Sequence, residues 1–99
     1  MSDLPLDKEE IQQRLAQSAF IELLNLTVLS ADPVEQQLVM RAAMRPEFER
    51  GRGSGQWHGG PIAAIIDTVG DYALVMLLGR PLPTVNFRVD ICGRRSTLR

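Results

Sequence analysis

The chain has 99 residues and a mass of 11.0 kDa, which is about one small domain. Eleven basic residues stand against 12 acidic ones for a net charge of −1, so a broadly cationic nucleic-acid binder is excluded. A composition of 44% hydrophobic and 23% charged residues excludes a disordered chain, and the single cysteine, Cys92, excludes an internal disulfide or a multi-cysteine metal cluster.

Residues 1–7 carry neither a cationic n-region nor an apolar h-region. No signal peptide is expected, and the chain reads as soluble and cytoplasmic. A domain this small buries a smaller share of its surface than one of about 150 residues, a shortage that an oligomer would relieve.

Asp7 and Glu10 form a capping-box pair ahead of a helix predicted over Lys8–Ser18, resumed as a short turn through Ala19–Asn25. Leu26–Ser30 is β-branched enough for a strand. Asp32-Pro33 supplies turn chemistry, and Gln37–Arg45 alternates with period two, so a hairpin is expected. Residues 46–60 hold five glycines around Arg50, Arg52, Ser54, Gln56, Trp57 and His58. Pro61, at a favoured first helical position, then opens a long apolar helix to Leu78, closed by Gly79 and Pro81. Asp67 and Asp71 in mid-helix argue against a membrane span, since each costs about 2.5–3.5 kcal/mol there. A helix in a soluble core or an oligomer interface fits better. Pro83–Ile91 alternates Val85, Phe87, Val89 and Ile91 with polar residues as a strand does. The fold class is α+β in a single domain.

Asp67 lies in the run Ile62-Ala63-Ala64-Ile65-Ile66-Asp67-Thr68-Val69. An unpaired carboxylate buried there would be costly, so it is either a structural partner of an arginine, a carboxylate on a solvated edge, or a general base or nucleophile. Gly59 and Gly60 place backbone N–H groups at a positive helix end, where they can hold an anion or a developing oxyanion or simply start the helix. The glycines fit no P-loop, no dinucleotide fingerprint and no nucleophile elbow. His58 reads as a loop-orienting or capping residue, and no metal site is expected with Asp67 and Asp71 a helix length away from it. At roughly 1.5 Å of rise per residue, Gly59 and Asp67 stand about 12 Å apart, whereas base and oxyanion donors must each lie about 3 Å from the reacting atom. If both act on one substrate, they come from two antiparallel copies of the helix.

His58-Gly59-Gly60-Pro61 with Asp67 nine positions after the histidine resembles the His-Gly-Gly…Asp signature of hotdog-fold thioesterases, in the PaaI-type branch of the 4-hydroxybenzoyl-CoA thioesterase superfamily. Residues 20–24, Arg45-Pro46-Glu47-Phe48 and Pro83-Thr84-Val85-Asn86-Phe87-Arg88-Val89-Asp90 add to the likeness, which covers residues 15–90. The resemblance implies a hotdog fold, a long central helix packed on an antiparallel sheet, and a homodimer or homotetramer with active sites across the interface. The implied activity is hydrolysis of an acyl-CoA thioester without a cofactor, coenzyme A being part of the substrate. Asp67 would be the base or nucleophile and the Gly59 N–H the oxyanion donor. His58 would shape the site, and Thr84 would lie near the attacking water. Gly60, Gln56, Asp71 and Arg52 would line the substrate site. A non-catalytic acyl-CoA-binding or oligomerisation module is the alternative, and a phosphate- or RNA-binding loop at Arg50–Gly60 a third reading.

Two departures accompany the likeness. Arg52 stands where relatives often have Asn or Gln, and arginine accepts no hydrogen bond, so that role is absent or falls to Gln56. After Asp90 the family continues with a Tyr-Leu-Arg-Pro-like segment and further strands, whereas this chain reads Ile91-Cys92-Gly93-Arg94-Arg95 and ends at Arg99. A single-base deletion in codons for the family's segment yields those residues, so a reading-frame shift before the last strands is the expectation, and sequencing of the source DNA tests it.

Overall fold

The computed structural model describes residues 5–80. The expected strand Pro83–Ile91, together with Pro81, Thr84, Cys92 and the segment after Asp90, lies outside the described residues. The elements in chain order are α1 (Lys8–Leu15), α2 (Ala19–Leu23), β1 (Leu26–Asp32), β2 (Gln37–Ala42), a 3-10 turn (Pro46–Phe48) and α3 (Gly59–Leu78).

The capping box forms as expected. The Asp7 carboxylate accepts the Glu10 N–H at 2.8 Å, and Glu10 returns the contact to the Asp7 N–H at 3.1 Å. α1 nevertheless stops at Leu15, short of the expected Ser18. Ser18 instead caps α2, its Oγ accepting the Ile21 N–H at 3.2 Å, and a hydroxyl that satisfies the next helix start competes with continuing the first. Asn25, at φ 62°, then turns the chain through the left-handed conformation that asparagine tolerates.

β1 and β2 pair antiparallel, with Leu26 opposite Ala42, Val28 opposite Met40 and Ala31 opposite Leu38. The register shifts between Val28 and Ser30, so Leu29 is an extra residue. That bulge moves the inward parity from 26 and 28 to 31, which keeps one apolar face turned inward despite the interruption. β1 runs two residues further than expected because Asp32 closes the hairpin. Its carboxylate accepts the Val34 and Glu35 N–H groups, both at 3.1 Å, and Gln36 completes the turn at φ 57°. β2 ends at Ala42 rather than Arg45, because Arg45 belongs to the next turn: its carbonyl accepts the Phe48 N–H at 2.9 Å.

The outer edge of β1 is closed by a side chain. Gln12 of α1 donates from Nε2 to the Leu26 carbonyl at 3.1 Å and accepts the Val28 N–H on Oε1 at 2.8 Å. A strand's carbonyl and N–H two residues apart point to the same edge, so one amide side chain pairs with both.

The core joins α1, α2, β1, the 3-10 turn and the C-terminal half of α3. Leu6, Ile11 and Met76 are fully buried, surrounded by Leu15, Leu24, Val28 and Val75. The Leu6 N–H donates to the Met76 carbonyl at 2.8 Å, pinning the entering chain across α3. α3 is 20 residues of mainly apolar sequence, yet only Thr68, Val75 and Met76 are buried in the single chain. Ile66, Leu74 and Leu78 stay about half exposed at 48%, 54% and 44%. By length and composition alone the helix could cross a membrane; Asp67 and Asp71 in its middle make that costly.

Candidate active site

Three segments converge where α3 begins. Phe48 and Trp57 are both buried and stack with ring centroids 5.4 Å apart at 24°. The His58 N–H donates to the Phe48 carbonyl at 2.7 Å, fastening the end of the glycine-rich loop to its beginning. α3 starts at Gly59, two residues before the expected Pro61, because His58 is the N-cap. Its Nδ1 accepts the Gly60 N–H at 3.4 Å, the capping role that the sequence suggests. Pro61 is therefore third in the helix, still within the first turn, where an N–H would have no intrahelical partner. The Gly59 N–H sits in the same first turn at the positive end of a 20-residue dipole. At the other end Gly79, at φ 72°, closes α3 by donating to the Val75 carbonyl at 2.7 Å.

The loop between Phe48 and Trp57 is organised by a residue that sequence reasoning passed over. Glu49 accepts the Gly53 N–H on Oε1 at 3.1 Å and the Gly55 N–H on Oε2 at 2.8 Å. Both glycines have positive φ, 78° and 70°, which turns their amides inward onto one carboxylate. The bond from Gly55, then that from Gly53, holds the Glu49 carboxyl below its ordinary range. The Arg50 backbone N–H donates to the Gln56 carbonyl at 2.9 Å, and Ser54 Oγ accepts the Gln56 N–H at 3.2 Å. The signal in the sequence is an acid immediately ahead of alternating glycines. These two amides serve the chain's own carboxylate. Arg50 and Arg52 are exposed, and Gln56 is half-buried.

Asp67 is half-buried in the single chain, where the sequence suggests a sealed carboxylate. The reason is that the apolar helix around it is only partly covered. α3 is one continuous helix between Gly59 and Asp67, so the separation of about 12 Å along its axis holds. The 3.6-residue period puts Gly60, Ala64, Asp67 and Asp71 on one stripe. Asp71 is raised above the usual carboxylate range, first by desolvation and then by the charge of Asp67 one turn away. It lines a recess of about 130 Å³ with Arg14, Gln17, Tyr72 and Val75, facing α1. Tyr72 is pushed up by burial and by Asp71, with Arg14 opposing.

Two apolar clefts flank the helix start. One, of about 260 Å³, is lined by Phe20, Leu23, Phe48, Gly60, Pro61 and Ala64, and so opens beside the first turn on the stripe that carries Asp67. The other, of about 440 Å³, lies on the opposite side of α3 between Ile62, Ile65 and Ile66 and the hairpin residues Leu29, Met40 and Ala42. Among the described residues no group of three His, Cys, Asp or Glu side chains comes together that could hold a metal ion.

No protein-family model matches the chain, and no curated protein matches it. A solved X-ray structure does: that of a protein from the thioesterase superfamily, with a TM-score of 0.77 and 32% sequence identity. The alignment covers 89% of this chain and 64% of that one, so the chain spans just under two thirds of the length of the protein it matches. The long helix begun at His58, packed against an antiparallel hairpin, is thus the hotdog architecture, and the chain shares it with a protein of the thioesterase superfamily.

Proposed function

We propose that the chain is an acyl-CoA thioesterase of the PaaI type, acting as a homodimer or homotetramer in the cytoplasm with no metal or bound cofactor. The observation that supports this most is the arrangement on α3: a histidine-capped helix start with the Gly59 N–H in its first turn, and Asp67 two turns along. The thioester carbonyl accepts from the Gly59 N–H of one copy. Asp67 of the facing copy removes a proton from water, or attacks the carbonyl itself, expelling the thiolate and leaving a mixed anhydride that water hydrolyses to the free acid and the regenerated carboxylate. With water as nucleophile, its oxygen bonds to the carbonyl carbon, the carbon–sulfur bond breaks, and the departing thiolate takes up a proton. The Gly59 N–H is worth most where negative charge builds on the carbonyl oxygen, because a fixed backbone donor needs no reorganisation.

His58 holds that helix start in shape; Thr84 lies outside the described residues, and a role for it near the attacking water rests on the family resemblance alone. Gly60, Gln56, Asp71 and Arg52 border the substrate. The apolar cleft of about 260 Å³ beside Gly60 gives the acyl portion room next to the donor. The test is coenzyme A release from one aryl- and one alkyl-CoA by the intact chain, with its oligomeric state measured in parallel. Turnover that disappears in Asp67→Ala and survives a surface substitution supports the reading. A strictly monomeric chain with full turnover defeats the two-copy mechanism.

The half-buried state of Asp67 in the single chain favours one second reading, a non-catalytic acyl-CoA-binding or oligomerisation module. Acyl-CoA binding that persists in Asp67→Ala, without turnover in either protein, selects that reading.

A further inference from the structure

We infer that Glu49 is a positioning residue for substrate binding: its carboxylate folds the glycine-rich loop onto itself and so presents Arg52 and Gln56 in a fixed arrangement. The inference rests on the thioesterase reading for the identity of the substrate, an acyl-CoA, and on geometry for the rest. Both carboxylate oxygens are used, one on each of two amides that only positive-φ residues can turn inward. Arg52 lies just before the first of these glycines and Gln56 just after the second, so the loop segment bearing them is the one that the carboxylate closes. The helix start is held by contacts that do not involve the Glu49 carboxylate: the Phe48–Trp57 stack, the His58 N–H on the Phe48 carbonyl and the backbone bridge between Glu49 and Trp57.

That division of labour makes the inference specific. Releasing the loop should loosen the substrate without disturbing the Gly59 donor, which is a loss of uniform binding: KM rises and kcat stays. A purely structural role would lower the melting temperature and move both constants.

The experiment compares the wild-type chain with Glu49→Gln, and with Glu35→Gln on the exposed hairpin turn as control. In Glu49→Gln the Gly53 and Gly55 amides should exchange with solvent at least about tenfold faster by NMR, because their acceptor has lost its charge and one of its two acceptor oxygens. KM for an acyl-CoA should rise about three- to tenfold, with kcat within about twofold and the melting temperature within about 2 °C. Unchanged exchange at Gly53 and Gly55, an unchanged KM, or a kcat that falls with the melting temperature overturns the inference. If the wild-type chain turns over no acyl-CoA, the proposed function fails by that result alone. The positioning role is then decided by amide exchange and by coenzyme A binding, followed through the fluorescence of Trp57. A dissociation constant for coenzyme A equal in the two proteins overturns it.

Discussion

The Phe48–Trp57 pair ties the stability of the domain to the start of α3, and its removal has a calculable cost. Both rings are buried, at 3% and 7% exposure, and their centroids lie 5.4 Å apart. Truncating a buried aromatic to alanine costs about 3–5 kcal/mol. A domain of this size has roughly 5–15 kcal/mol of stability in all. Trp57→Ala should therefore keep a folded population in the cold and unfold far earlier in urea. With a denaturant slope of about 1–3 kcal/mol per molar, its midpoint should fall by about 2 M. The stack itself contributes about 0.5–1.5 kcal/mol beyond area burial, so Phe48→Ala, Trp57→Ala and the double variant should form a cycle with that coupling energy. Far-UV circular dichroism is the appropriate probe, since the substitution removes the chain's single tryptophan. Single-variant costs that add to within about 0.3 kcal/mol in the double variant would show that the rings do not act as a pair.

Two further predictions concern other parts of the fold. Gln36 holds φ 57° in the hairpin turn at an exposed position, so Gln36→Gly should relieve left-handed strain and raise the melting temperature by a few degrees in a thermal scan. Asp71 has its carboxyl raised by desolvation and by Asp67, so the folded state disfavours its charge. For a raised carboxyl the favourable contribution is complete below the unfolded value near 3.8 and is lost as pH rises through the folded value. Asp71→Asn should accordingly stabilise the chain against urea at pH 7 and leave it unchanged at pH 3; a gain of equal size at both would refute the attribution.

Much of this fold is written in short-range chemistry. The Asp7–Glu10 capping box, the period-two run of β2 and the Gly79 stop of α3 each depend on neighbours within four residues; the box and the stop appear where their patterns predict, and β2 follows its pattern as far as Ala42, short of the expected Arg45. The helix boundaries that moved did so for equally local reasons, Ser18 and His58 acting as caps. The Leu29 bulge is different in kind, because it records how two strands must align to keep one face apolar, and no single run of residues carries that. Glu49 is different again. Its role depends on two glycines adopting a conformation that sequence permits and does not demand. For Asp67, the apolar run around it suggests a carboxylate sealed from water, and the single chain covers it only halfway. Ile66, Leu74 and Leu78 on the same helix stay about half exposed as well, so the degree of cover is a matter of packing and not of the helix's own sequence.

The amide of Gln12 gives the hairpin a sidedness with consequences for growth. By occupying the rim of β1 at Leu26 and Val28, it stands where an incoming strand's own peptide groups would have to go. Displacing it would strip an ordered helix side chain from a part-buried position before any replacement bond formed. Chain copies meeting rim to rim through β1 are thereby discouraged, a safeguard against runaway stacking of sheets. Among the described residues, extension of the sheet is left to the opposite rim, along Gln37–Ala42.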